Sequence, residues 1–487
     1  MARLAVLHVA AEAHPLIKTG GLADVAGALP RALRTLDVDA RLLIPGYPDV
    51  LSRLAAGGGV RSVGAASGPA FGAGRVALVR GRLPGSTLPV YAIDAPWLYR
   101  RPGNPYADAT GQAWSDNHLR FGLLSWTAAQ LAAGGLDPAW TPALVHAHDW
   151  HAGLAPSYLR MNPGVRVPTI FTIHNLAFQG RFPLTTAGAI GMPASLLTPS
   201  NIEFHGDLSF MKAALVHADR LTTVSPTYAR EITTSAFGHG MEGVLRSRAS
   251  VLSGVLNGID ADEWNPRTDP AISHNYDATR PIGKKENRRV LCIELGLDAS
   301  TVGPLMVFVG RLTSQKGVDL VIEAATAKLL ERMQLAVLGS GDASIEKALI
   351  ALAAKHRGRM STCIGFDEAL AHRMIAGADA IIVPSRFEPC GLTQMYGMRY
   401  GTVPIARRVG GLADTVVDCE DAAEATGFAF DNAASSALAA ALTRAIDAFS
   451  APARWQVLMR NGMRQNFAWD GPARRYVALY EDTLAKA

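Results

Sequence analysis

The chain has 487 residues, 49% of them apolar and 18% charged, with a net charge of +5 and a pI near 9.0. That length exceeds one ordinary core and predicts two domains, and the composition excludes a disordered chain. The basic residues are scattered in pairs such as Arg100-Arg101 and Lys284-Lys285, which excludes a nucleic-acid-binding tail, and four cysteines without a C-x-x-C pair exclude a disulfide framework.

In chain order, residues 4–11 form a short apolar run interrupted at once by Glu12 and His14. The run is too short for a signal peptide and is read as a buried first strand. A loop holding Gly20-Gly21 follows, then a helical stripe at Leu22, Val25, Leu29 and Leu33, which Pro30 is expected to kink. Residues of about 55–110, rich in Gly and Pro with short strand-like runs at 76–79 and 88–93, are read as an insertion. Further buried strands are expected at 40–44, 144–148, 169–173 and 221–224. The second half repeats the rhythm, with strands at 305–309, 335–338, 361–364, 381–383 and 403–405, and helices at 318–330 and in the Ala-rich stretch 433–445. Continuous apolar strands alternating with helices mean parallel sheets covered on both faces. The fold class is therefore α/β, with two doubly wound domains joined near 250–265. Ligands of such sheets bind at the carboxyl ends of the strands, and the cleft between the domains is the expected place. No stretch of about twenty apolar residues occurs, so no transmembrane helix is expected, and the cysteine usage fits a reducing cytosol.

Several polar clusters fall at strand ends. Lys18-Thr19-Gly20-Gly21 joins the first strand to its helix, where glycines expose backbone N–H groups and Lys18 adds a cation. Gly310–Gly317 (GRLTSQKG) occupies the matching place in the second half, and Arg311 and Lys316 there would make a diphosphate clamp. Glu388 follows the strand at 381–383 as a lone carboxylate between Phe387 and Pro389, with Thr393 at a helix start. Both loops can equally be ordinary strand-to-helix connections with surface charge, and Glu388 can be a carboxylate stabilised by a helix dipole. His146, His148, Asp149 and His151 crowd into six residues. On a strand His146 and His148 share a face and Asp149 takes the other, which favours a hydrogen-bonded lining over a metal site. His174-Asn175 ends another strand and reads as a substrate contact or a structural pair.

Together these elements resemble the bacterial glycogen synthase and plant starch synthase family nearly end to end. The resemblance is carried by KTGGLADV at 18–25, HAHDWHAGLA at 146–155, FTIHN at 171–175, NGID at 257–260, GRLTSQKG at 310–317, PSRFEPCGLTQMY at 384–396 and GGLADTV at 410–416. It implies two Rossmann-like domains of the glycosyltransferase-B type. The first is a glucan-side domain at 1–250, with a C-terminal helix at about 472–484 packing back on it, and the second is a nucleotide-sugar domain at 251–471. It also implies a cytoplasmic enzyme, without metal or other cofactor and bound neither to nucleic acid nor to a membrane. That enzyme would transfer glucose from ADP-glucose, with retention, to the non-reducing 4-hydroxyl of an α-1,4-glucan. By the same resemblance Lys18, Arg311, Lys316 and Thr393 contact the diphosphate, while Gly20 and Gly21 are substrate-binding candidates through their backbone N–H groups. Glu388, His174, Asp149 and Asn257 line the glucose. Phe366 stands where the family has a tyrosine stacked on adenine, and Tyr99 belongs to a substrate loop (Tyr99–Gly103) in which Arg100 replaces an acidic residue. Tyr396 stands where the broader group carries a second Glu. A metal-dependent hydrolase built on 146–151 and a non-catalytic sugar-nucleotide binder are the competing readings.

Overall fold

Apolar runs too uniform for a half-solvated strand assemble into two separate parallel sheets. The computed structural model describes residues 3–67, 71, 75–420 and 424–486. Its chain divides into one unit of Met1–Gly258 with Trp469–Ala487 and another of Ile259–Ala468.

In the first unit, the strands of the main sheet are β1 (Leu4–Val9), β2 (Val38–Pro45), β3 (Arg61–Ser67), β4 (Arg75–Arg82), β5 (Pro89–Asp94), β6 (Leu144–His148) and β7 (Thr169–Ile173). After a small antiparallel sheet of β8 (Arg181–Pro183), β9 (Glu203–Phe204) and β10 (Asp207–Ser209), the chain returns with β11 (Arg220–Thr223) and β12 (Leu252–Gly254). The order is β12-β11-β7-β6-β1-β2-β5-β4-β3, parallel from β12 to β5, with β4 and β3 antiparallel at the edge. The region read as an insertion is thus part of the sheet. β5 pairs in parallel with β2 through Leu42↔Val90, and β4 and β3 extend that edge, while residues 68–70 and 72–74 lie outside the described set. Short strands punctuated by Gly and Pro concealed the continuity.

Alternation along β1 sends Leu7 and Val9 to one layer of core and Val6 to the other. The second layer is closed by the C-terminal helix Asp470–Ala485, whose Ala473, Tyr476 and Tyr480 are buried with Val25, Leu29 and Leu33 of helix Gly21–Arg34. That helix runs as one element through a buried Pro30, held on both sides by its apolar stripe.

In the second unit, β13 (Leu305–Val309), β14 (Gln334–Gly339), β15 (Met360–Ile364), β16 (Ala380–Val383), β17 (Val403–Arg407) and β18 (Phe428–Phe430) form a fully parallel sheet ordered β15-β14-β13-β16-β17-β18. The order reverses between β13 and β16, which opens a crevice where their carboxyl ends diverge. The helix expected over 318–330 is two, Val318–Ala324 and Ala327–Leu330, because Thr326 turns out and caps the second through the Leu329 N–H. Among the described residues no helix is long and apolar enough to cross a membrane.

Candidate active site

The crevice of the second unit brings together two residues that lie 72 positions apart. Lys316 Nζ is 2.5 Å from Glu388 Oε2, with side chains 21% and 7% exposed. Lys316 ends the loop after β13, and Glu388 lies in the loop after β16. Two local devices hold them. Gly317 has φ 71, and a Cβ there would stand 2.3 Å from the Pro384 carbonyl oxygen, so only glycine lets the two loops touch. Arg386 forms two bonds to the Asp319 carboxylate, at 2.7 and 2.6 Å, and donates to the Ser314 carbonyl, tying the second loop to the first. Glu388 also accepts from Ser385 Oγ at 2.9 Å, and its carbonyl accepts from the Gly411 N–H. Gly411 approaches so closely that a Cβ would meet Cys390 O at 2.1 Å. Arg311 is exposed, 3.4 Å from Gln315 Oε1. Thr393 is the first residue of helix Thr393–Arg399, and Phe366, 79% exposed, stands in the loop after β15. Tyr396 is buried and stacked on Trp264 at 3.7 Å, a packing role, and Cys390 is buried and in no disulfide.

In the first unit the loop after β1 is fastened to a buried acid. Glu12 accepts from the Thr19 N–H at 2.5 Å and the Gly20 N–H at 3.3 Å. Burial pushes its carboxyl up to about 7 against those bonds. Lys18 Nζ lies 2.9 Å from Asp24 Oδ1. Gly20 has ordinary extended angles and open space where a side chain would go, and Gly21 begins the helix. At the end of β6, Asp149 adopts φ 58, a conformation that residues with a Cβ rarely take. Its side chain is buried and accepts from the backbone N–H groups of Asn175, His174 and Trp150, yet burial still raises its carboxyl to about 7. Asp149 Oδ1 and the buried Asn257 Oδ1 have no partner among the described residues. His174, just past β7, stands with Nε2 3.1 Å from His148 Nδ1, and desolvation lowers it to about 3, so the ring is neutral. Tyr99 is fully buried. Its hydroxyl donates to the Arg120 carbonyl at 2.6 Å, and its ring walls a cavity of about 460 Å³ shared with Tyr47, Arg101 and Trp114.

The motif-bearing loops therefore collect at strand carboxyl ends in each unit. A family model described as the starch synthase catalytic domain matches residues 5–247, and one described as glycosyl transferases group 1 matches residues 298–456. The glycogen synthase of Leptothrix cholodnii is 48% identical over 99% of this chain and its own full length, and that of Serratia proteamaculans is 49% identical over 98% and 99%. The chain belongs to the glycogen and starch synthase family. The catalytic domain of starch synthase IV from Arabidopsis thaliana, solved with ADP and acarbose, matches with a TM-score of 0.89 at 31% identity over 99% of this chain and all of that one. A sucrose-phosphate synthase from Thermosynechococcus elongatus, 18% identical at a TM-score of 0.60, shares the fold. The architecture is the two-domain α/β fold of glycosyltransferase-B enzymes, and the chain is a glycosyltransferase.

Within this synthase family member, four groups at the two sites escaped the sequence reading: Glu12, Ser385, and the Arg386–Asp319 pair. Glu12 carried a sequence signal, an acid placed directly after an apolar strand, and Ser385 and Arg386 lie within the run at 384–396 without a role of their own. Asp319 is an ordinary polar residue until folding pairs it with Arg386.

Proposed function

We propose that this glycosyltransferase moves glucose from ADP-glucose to the non-reducing 4-hydroxyl of an α-1,4-glucan, in the cytoplasm, with retention at the anomeric carbon and without a metal. The observation that carries the reading is the Lys316–Glu388 pair at the crevice of the second unit. Identity of 48–49% to glycogen synthases over nearly the whole chain supports the acceptor, and the ADP in the Arabidopsis relative supports the donor.

The chemistry follows from charge. As the sugar leaves, its diphosphate oxygen gains negative charge while the sugar turns oxocarbenium-like. Lys316 and Arg311, with Lys18 from the first unit, are cations suited to the first, and they act without reorganising at the moment of reaction. Glu388 serves two ends. Its carboxylate orients Lys316 and offsets the positive charge on the sugar. Thr393 and the N–H groups of the Gly20-Gly21 turn are suited to the phosphate oxygens, and Phe366 offers an exposed ring to the base. Asp149, Asn257 and neutral His174 present polar atoms for the sugar hydroxyls, the first two with an unsatisfied oxygen each. Tyr99, whose hydroxyl donates to the Arg120 carbonyl, presents its ring to the cavity it walls.

The hydrolase alternative built on 146–151 is disfavoured because both ring nitrogens of His146 and of His148 are within hydrogen-bond distance of a named protein partner. The test is incorporation of labelled glucose into glycogen from ADP-glucose beside UDP-glucose, in excess EDTA. Elongation from ADP-glucose that EDTA leaves intact is the expected result. No elongation, or activity lost to EDTA and restored by a divalent cation, would overturn the proposal.

A further inference from the structure

One face of the first unit's sheet carries a row of buried histidines that the transfer chemistry does not use. His8 on β1 is the register partner of His146 on β6, and His148 lies two residues on, on the same face, opposite Thr172 of β7. Tyr480 of the C-terminal helix closes over them. His8, His146, His148 and Tyr480 are all fully buried. His174 continues the same face beyond β7, and it alone in the row is not fully buried.

The contacts run head to tail. His174 Nε2 is 3.1 Å from His148 Nδ1, and His148 Nε2 is 3.0 Å from His8 Nδ1. His8 Nε2 is 3.5 Å from the Tyr480 hydroxyl, which is 2.8 Å from His146 Nδ1. His146 Nε2 is 2.6 Å from Thr172 Oγ1. Burial lowers all four histidines, so each ring is neutral, with one N–H and one bare nitrogen. Such a chain has only two polarities, and its closed end selects one. A phenol is a stronger donor than acceptor, so the Tyr480 proton goes to the nearer nitrogen, His146 Nδ1. Tyr480 oxygen then accepts from His8 Nε2–H, His8 Nδ1 accepts from His148 Nε2–H, and His148 Nδ1 accepts from His174 Nε2–H. His174 Nδ1 is left bare.

We propose that His148, His8 and Tyr480 are positioning residues that fix His174 in the tautomer with a bare Nδ1, so that it accepts a hydrogen bond from a hydroxyl of the donor sugar. The inference rests on the reading of His174 as a sugar contact given above. Second-partner bonds of this kind set tautomer and ring orientation wherever an imidazole must act through its other nitrogen. The same three side chains, His8, His146 and His148, also have nitrogens close enough together to hold a metal ion, which is the opposing account of the row.

The test compares His148→Phe, which removes both bonds and keeps a ring, with His148→Gln, which keeps one donor and one acceptor. Glucose transfer from ADP-glucose is measured beside inhibition by ADP, which has no sugar. His148→Phe is expected to lower kcat/KM for ADP-glucose by about tenfold or more, the scale of one lost buried hydrogen bond, with ADP inhibition unchanged and partial recovery in His148→Gln. In a His174→Ala background the His148→Phe change should cost nothing further. Nitrogen NMR of the histidine-labelled parent, which needs no turnover, is expected to find the His174 proton on Nε2. Equal losses for ADP-glucose and ADP, a full further loss in the His174→Ala background, a proton on His174 Nδ1, or one equivalent of tightly bound metal in the purified protein would each overturn it. A parent that fails to use ADP-glucose while showing the Nε2 proton would refute the donor assignment and leave the hydrogen-bond chain standing.

Discussion

At the scale of single residues, the contact between Lys316 and Glu388 changes what their substitutions should do. Glu388→Gln keeps the size and the bond to Ser385 but leaves Lys316 without its anion. Turnover is expected to fall by several orders of magnitude, with ADP-glucose binding not weakened and melting within a few degrees of the parent. Lys316→Ala removes a group acting on the leaving oxygen and should cost roughly 3 kcal/mol in the transition state, a hundredfold or more in turnover. The two residues touch, so the double variant should lose far less than the sum of the single losses in free energy. Kinetics of the four proteins measure this, and strictly additive losses would show that the pair is not one functional unit.

At the scale of elements, the site depends on how closely the loops after β13 and β16 approach. Gly317 is where that approach is decided, with its left-handed φ of 71 and the Pro384 oxygen 2.3 Å from a would-be Cβ. Gly317→Ala has to leave the left-handed region or push the second loop away, at a cost of more than about 2 kcal/mol. The expected outcome is a lower melting temperature together with weaker ADP binding in calorimetry, because Lys316 and Glu388 are displaced together. Normal ADP affinity in a folded Gly317→Ala protein would show that the loop tolerates the shift and that its geometry is not what the site requires.

At the scale of the whole molecule, acid should destabilise the first unit. His8, His146, His148, His151, His174 and His217 are all held below the ordinary 6.5 by burial. Below pH 6.5 the unfolded chain takes up protons at these sites and the native protein does not, so their contribution is present above about 6.5 and lost as pH falls. Glu12 and Asp149, both raised to about 7, act in the opposite sense, because the native state holds their protons where the unfolded chain has released them. His118 and His239 are lowered in the same sense, so the histidines outweigh the two carboxyls and leave a net loss. Melting temperature should therefore drop between about pH 7.5 and 5.5, read by scanning calorimetry of the full chain. A midpoint that holds or rises over that interval would mean the rings protonate in place.

Within the sequence, the parallel strands of both sheets were legible because burial on both faces leaves continuous apolar runs, and 144–148, 169–173 and 305–309 match β6, β7 and β13 residue for residue. The loops carrying Lys18, Arg311, Lys316, Glu388 and Thr393 were legible too, since polar and glycine residues bunch where such strands end. The runs at 76–79 and 88–93 fall on β4 and β5, but β3 and the place of all three at the edge of the first sheet were not legible, because the segment is broken by Gly and Pro and β5 joins the sheet by pairing with β2, distant in sequence. Nor was the 2.5 Å contact between Lys316 and Glu388, the tie from Glu12 to the Gly20 turn, or the line of rings from Tyr480 to His174. Strand periodicity states which face a histidine occupies. Only strand order and the return of the C-terminal helix bring residues 8, 148, 174 and 480 into one row, because these are contacts between elements and no local propensity encodes them.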